Sequence, residues 1–302
     1  EEGNVVTTGQ FSGTVDFDPD PVGSYPLASQ NNSVDIFVSK LDSSGHFVWA
    51  KRSGGKFIDR GNDITLDTAG NVYVTGVFVD TADFNPGGTG GLRVSAMIDT
   101  LANWLQPIKT ADIFVLKLDP SGVFEWVAAM GGNAGDAGHS IAVDKEGNVY
   151  TTGVFVMTAV ASWINGYYKH TGADFDPGSD SCYFFPFGSN DIFVSKLDAN
   201  GEFVWARHLG GAGRSTDAGH AIVLDSAGNV HITGIFNPGL LDGIDPNGNV
   251  SAKGYFVGGT DTVEYDVPFT ELQDHNIFIA RIYANGDLAW VQSVGSTKQQ
   301  RL

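Results

Sequence analysis

The stretch GNVYVTGVF at 70–78 returns as GNVVTTGQF at 3–11, GNVYTTGVF at 147–155 and GNVHITGIF at 228–236. A second motif alternates with it: DIFVSKLD at 35–42, DIFVLKLD at 112–119, DIFVSKLD at 191–198 and NIFIARIY at 276–283. A third follows: FVWA at 47–50, FEWV at 124–127, FVWA at 203–206 and LAWV at 288–291. Self-similarity at a fixed spacing marks a repeat architecture, so one unit told four times decides the fold. The units run about 1–58, 59–135, 136–216 and 217–302.

Each unit reads as four short strands. SIAVD at 140–144 alternates apolar and polar residues, GNVYTTGVF is rich in β-branched and aromatic residues, and DIFVSKLD and EFVWA supply the third and fourth strands. Alternation over such short runs argues half-buried strands. DTAGN (67–71), DKEGN (144–148) and DSAGN (225–229) join the first strand to the second; DSSG (42–45), DPSG (119–122) and DANG (198–201) join the third to the fourth. Asp opens such turns by accepting backbone N–H bonds two residues on, and Gly supplies the positive φ that closes them. These aspartates are turn formers rather than catalytic acids. The expected fold is therefore all-β, a β-propeller of four-stranded antiparallel blades with long insertions between strands two and three. Trp49, Trp126, Trp205 and Trp290 hold one place in each unit, as packing between sheets requires. His139 and His220 share a position that Asn62 fills in the second unit, which predicts hydrogen bonds between neighbouring units.

GNVYVTG, DFDPG, DIFVSKLD, FVWA, the paired glycines and DAG-x-x-I-x-x-D together resemble the SBBP-type β-propeller repeats of secreted or surface bacterial proteins. The resemblance covers nearly the whole chain outside the insertions. It implies a secreted or cell-surface propeller, often part of a longer chain, and carries no established active site. The first strand and its Asp are missing ahead of Glu1, and TKQQRL at 297–302 is a poor match to that strand. The expectation is a piece of a longer array, with an imperfectly closed four-bladed ring as the alternative.

Composition narrows the function. A net charge of −18 removes the basic footprint that nucleic acid needs. No run approaches the ~18 apolar residues of a membrane span. Cys182 is the one cysteine, so no internal disulfide forms, and its acidic neighbourhood argues against a reactive thiol. No nucleotide loop, H-E-x-x-H or G-x-S-x-G occurs, and the chain is expected not to be an enzyme.

What is specific lies in the insertions, 12–34, 79–111, 156–190 and 237–275, which should share one face with the D-x-G loops. An acidic element recurs there: DFDPD at 16–20, DFNPG at 83–87, DFDPG at 174–178 and GIDPN at 243–247. Carboxylates at i and i+2 of an extended segment point the same way and suit a hard cation. Asp16, Asp18, Asp83, Asn85, Asp174, Asp176 and Asp245 are thus candidate calcium ligands; the alternative is a turn in which Asp caps N–H groups and Phe17, Phe84 and Phe175 plug the core. Apolar residues at helical spacing (Met97, Ile98, Leu101, Trp104, Leu105; Val156, Val160, Trp163, Ile164, Tyr167) predict two short helices. Trp104, Trp163, Tyr167, Tyr168, Tyr183 and Phe184 form the candidate partner surface, either a cover over the loops or a platform for a protein or sugar. The leading expectation is a non-catalytic scaffold binding protein partners or neighbouring subunits. A lectin-like glycan binder and a polysaccharide-cleaving enzyme, its acids drawn from different units, are the alternatives.

Overall fold

A computed structural model of the 302-residue chain describes residues 3–98, 108–156, 158–164, 167–211, 217–236, 252–258, 261–267 and 276–294. The described residues are all-β: antiparallel sheets with one 3₁₀ turn at Gln30–Asn32, consistent with the β-propeller repeat. None of their helices is long and apolar enough to cross a membrane.

Each full repeat is a meander of adjacent strands. Repeat 3 runs Ala137–Val143, Val149–Val156, Asn190–Leu197 and Phe203–Gly211, paired in that order. Repeat 2 (Arg60–Leu66, Val72–Val79, Ala111–Leu118, Phe124–Gly132) and repeat 4 (Ala218–Leu224, Val230–Phe236, Asn276–Ile282, Leu288–Val294) follow the same plan. Repeat 1 has strands two to four only: Val5–Ser12, Val34–Leu41 and Phe47–Gly55. Register repeats as well: Gly76 faces Phe114 and Gly153 faces Phe193, leaving room for the ring beside each glycine.

The turns close as their chemistry dictates. Asp67 Oδ1 accepts from the N–H groups of Ala69 and Asn71, both at 2.9 Å, and Gly70 takes φ 84°. Asp42, Asp119, Asp144, Asp198 and Asp225 repeat that pattern.

The core lies between sheets rather than within one. Ile36, Val38 and Trp49 of repeat 1 pack with Val72, Val74, Phe114 and Leu116 of repeat 2. Two further clusters join repeats 2 and 3 and repeats 3 and 4. A sheet buried on both faces reads as a near-continuous apolar run. The second strands of repeats 2 and 3 do so, and each is buried at all but its last one or two outward positions. The histidine position behaves as the sequence predicts: Asn62 Nδ2 donates to Gly138 O at 2.8 Å and His139 Nδ1 lies 2.9 Å from Gly219 O.

The described residues of the two predicted helices are not helical. Met97–Ile98 is a strand paired with Ile108–Lys109, and Thr158–Ile164 is a strand paired with Tyr167–Thr171. Leu101, Trp104 and Leu105 fall outside the described residues. Thr158, Val160, Trp163 and Ile164 favour a strand, and Asn165-Gly166 separates the paired strands. Asn-Gly between such runs is a strong hairpin signal, and it outweighs a chance helical spacing.

Candidate functional site

The insertions do more than decorate a rim. Thr81–Asp83, from the insertion of repeat 2, pairs with Gly54 and Gly55 at the end of repeat 1, and Leu92–Val94 pairs on its outside. Ala173–Asp174 of repeat 3 pairs in the same way with Gly131 and Gly132 of repeat 2, flanked by Tyr183–Phe184. Ala252–Gly258 of repeat 4 extends the sheet of repeat 3 through Arg207–Gly211, flanked by Asp261–Val267. The insertions of repeats 2, 3 and 4 thus each complete the sheet before their own. The contact needs glycine: a Cβ on Gly55 would stand 2.0 Å from Thr81 O, and one on Gly132 2.1 Å from Gly172 O.

Below this rim lie buried carboxylates that recur in every junction. Asp59 Oδ2 accepts from Gly55 N–H at 2.6 Å and its Oδ1 from Val79 N–H at 2.9 Å; Asp136 does the same with Gly132 and Val156. One side chain therefore ties the end of one repeat to the insertion of the next. Burial pushes both carboxyls up to about 7. A second series comes from the third strands. Asp35 pairs with Arg52 at 2.7 Å and Asp191 with His208 at 2.5 Å. In repeat 2 the place of Arg52 and His208 is taken by Ala129, opposite Phe114, and burial raises Asp112 to about 8. The sequence named these aspartates only as parts of motifs. Their signal was an acid fixed at the head of an otherwise apolar strand.

The candidate calcium ligands hold the turn geometry. Asp16 Oδ1 accepts from the N–H groups of Asp18 and Tyr25 at 3.1 and 2.7 Å, and its Oδ2 from Ser24 Oγ. These bonds hold its carboxyl below the usual carboxylate range. Asp83 caps Asn85, Asp174 caps Asp176 and Cys182, Asp18 caps Asp20, and Asp176 caps Gly178. Asn85 Nδ2 donates to Thr89 O. Phe84 and Phe175 are buried beneath these turns and Phe17 is half-buried, packed on Phe11 and Phe37. Asp245 lies outside the described residues. Among the described residues, no group of three or more His, Cys, Asp and Glu side chains converges as metal ligands would.

The candidate partner surface divides. Trp104 lies outside the described residues, and Trp163, Tyr167 and Tyr168 are placed only as strand residues. Phe184 is buried against Phe175 and His208. Tyr183 is exposed, as is Phe185 two residues on. Leu92 and Val94 hold the matching places in repeat 2, since Asp83 faces Leu92 as Asp174 faces Tyr183. All four side chains are more than half exposed. The sequence reading missed Leu92 and Val94, although an apolar residue at every second place of L-R-V marks one face of a strand.

A groove of about 530 Å³ opens at the other strand ends, between repeats 3 and 4, lined by Asp144, Glu146, Tyr150, Lys196 and Asp225 among others. Asp144 and Asp225 are occupied as turn caps, and hydrogen bonds from Asn229 keep Asp225 ionised far into acid. A glycosidic general acid needs a carboxyl held protonated near neutral pH. Asp225 has the opposite bias, and the acids with raised values are sealed inside the junctions.

Such an arrangement defines a repeat protein whose variable strands face outward while its acids serve the frame. Two stretches of the chain, residues 48–77 and 125–154, match the family model of the SBBP β-propeller repeat. Both matches run from the fourth strand of one repeat to the second strand of the next. The chain is also 24% identical over 286 residues to an uncharacterized WD repeat-containing protein of Acanthamoeba polyphaga mimivirus, covering 88% of this chain and 19% of that protein. A solved protein of unknown function from Bacteroides caccae aligns over 97% of this chain and 96% of that one at 8% identity. Its TM-score of 0.21 is too low to transfer anything.

Proposed function

We propose that the chain is a non-catalytic scaffold that binds protein partners through the outer insertion strands of one rim, at the cell surface or after secretion. The observation that carries this reading is the matched exposure of Leu92 and Val94 in repeat 2 and of Tyr183 and Phe185 in repeat 3. Exposed apolar residues in register on successive repeats, above a frame that is otherwise well buried, suit recognition better than solubility. The propeller repeat and the WD-repeat relative support an interaction role; the family resemblance supports the location. Photo-crosslinking from position 181, the exposed Ser181 beside Tyr183, in the native source tests it. Partners crosslinked by the unaltered rim should vanish in a variant with Leu92, Val94, Tyr183 and Phe185 all replaced by Ser. Crosslinks that survive the variant would refute the rim as the binding surface. A second reading follows from the two aromatic members: glycan-array binding abolished by Tyr183→Ala would replace the protein partner with a sugar. Calcium at the Asp-Phe-Asp-Pro turns is a separate proposal. The turn bonds leave Asp18 and Asp176 with one carboxylate oxygen each that no backbone cap uses, and chelation tests it.

A further inference from the structure

The first strands of repeats 2, 3 and 4 carry a bulge at the same place. Register against the second strand shifts between Gly61 and Asp63, between Gly138 and Ser140, and between Gly219 and Ala221. The residues left without a cross-strand partner are Asn62, His139 and His220. A bulge re-aims the side chain it frees and is a built feature rather than a defect. The glycine before each bulge lies against the preceding repeat: a Cβ on Gly138 would stand 2.3 Å from Thr75 Oγ1, and one on Gly219 2.2 Å from Thr152 Oγ1. That close approach brings the Gly138 carbonyl to Asn62 and the Gly219 carbonyl to His139.

Asn62 and His139 make the same bond, so an amide is enough to join one repeat to the next. Imidazole brings a second nitrogen. A carbonyl oxygen only accepts, so His139 Nδ1 carries the proton in its bond to Gly219 O, and the neutral ring presents a bare lone pair at Nε2. A ring N–H held by a backbone carbonyl is how metal-ligating histidines are oriented. His220 sets a second imidazole next to this one: the ring centroids are 5.8 Å apart, with 69° between the planes. Two imidazoles that share one metal ion, ~2.0–2.1 Å from each nitrogen, have centroids about 5–6 Å apart. Among the described residues, neither His139 Nε2 nor the His220 ring makes a hydrogen bond. His139 is half-buried, and His220 is exposed, free to bring either nitrogen round by a change of rotamer.

We propose that His139 and His220 form a binding site for a divalent transition-metal ion of the zinc class, held between the first strands of repeats 3 and 4. Nitrogen donors select zinc, copper or nickel over calcium and magnesium, which take oxygen. The site is therefore separate from the Asp-Phe-Asp-Pro turns. Two protein ligands leave coordination positions open to water, unlike the four of a closed structural zinc site. Between repeats 2 and 3 the same place pairs His139 with Asn62, whose amide nitrogen is spent on Gly138 O, so only one junction carries the pair of imidazoles. The site does not depend on the rim residues of the proposed function.

Calorimetric titration of the full chain with zinc chloride, in the presence of excess calcium, tests this. The unaltered chain should bind zinc with calcium unable to compete, and copper(II) should displace the zinc. His139→Asn and His220→Asn should each weaken zinc binding at least about tenfold, the loss that even an outer partner of a metal ligand causes. His139→Asn keeps the bond between repeats, as Asn62 shows, so its effect is on the metal rather than the frame. His46→Asn and His231→Asn should leave the binding unchanged. Nitrogen NMR of the histidine rings should show zinc shifting His139 Nε2 while Nδ1 stays protonated. If His139→Asn lowers the thermal melt, the exposed His220→Asn decides alone. No zinc binding, equal binding in the unaltered chain and His220→Asn, displacement of zinc by calcium, or a neutral His139 ring protonated at Nε2 would each overturn the proposal.

Discussion

Asp112 should make this protein less stable as pH rises through neutrality, and replacing it should weaken that dependence while Asp59 and Asp136 keep their share. Its Oδ2 accepts from Ala96 N–H at 2.7 Å, while Oδ1 is buried with no hydrogen-bond partner among the described residues. Arg52 and His208 serve the matching acids in repeats 1 and 3; Ala129 cannot. Desolvation, with a smaller push from the charge of Asp136, raises the carboxyl to about 8. An unfolded Asp titrates near ~3.9. Between those values the folded chain holds a proton that the unfolded chain has released, so folding is favoured by acid and weakened as pH rises. At roughly 1.4 kcal/mol per pH unit, the penalty at pH 7 is on the order of 4 kcal/mol, and it vanishes near pH 4. Asp112→Asn keeps an oxygen for Ala96 and removes the ionisation. Its unpaired amide costs about 1–2 kcal/mol, so a net gain of roughly 2–3 kcal/mol at pH 7 remains. Ala129→Arg should flatten the pH dependence in another way, by supplying the partner repeat 1 already has. Urea unfolding at pH 4.5, 6 and 7.5 measures both variants. Equal pH slopes in Asp112→Asn and the unaltered chain would refute the reasoning, as would a variant less stable at pH 7.5.

Four further outcomes are expected. Trp205→Ala should cost about 3–5 kcal/mol, as a buried aromatic does, and Trp290→Ala under about 1 kcal/mol, since Trp290 is exposed; equal losses in thermal melts would contradict their different surroundings. Gly132→Ala should cost at least about 1–3 kcal/mol through overpacking and release Ala173–Asp174, which hydrogen exchange at those amides would register. Asp174→Ala should cost about 1 kcal/mol through two lost N–H bonds while Asp174→Asn costs little. A chelator should leave the melting temperature unchanged if the turn caps account for these acids, whereas a lower temperature would favour calcium.

The frame was legible because its signals are local and repeated. GNVYVTG and DIFVSKLD fix strand registers through their alternation, and the D-x-x-G turns fix the joints between strands. The family match at 48–77 and 125–154 agrees with that reading. The candidate site was less legible. Asp-Phe-Asp-Pro suits a cation or a turn equally well in sequence, and only the placement of Tyr25 and Cys182 N–H groups shows what the oxygens face. The helical spacing at 156–167 misled because five apolar residues fit either period, and Asn165-Gly166 was the better guide. Strand addition by Thr81–Asp83 to the preceding repeat could not be read at all. It is a pairing across about 27 residues of chain with no motif of its own except the paired glycines it touches.

That pairing has a consequence for how the chain is made. Residues 54 and 55 finish the sheet of repeat 1 only when residues 82 and 83 arrive, and 131 and 132 wait for 173 and 174. During synthesis from the N-terminus, the sheets of repeats 1 to 3 are therefore each completed by a segment that leaves the ribosome later. A stalled or prematurely cleaved chain would always carry one unfinished edge, that of its newest sheet, and an unfinished edge is a template for wrong pairing. The lengthy insertions that set one repeat apart from another thus double as clasps, each fastening backwards onto work already done.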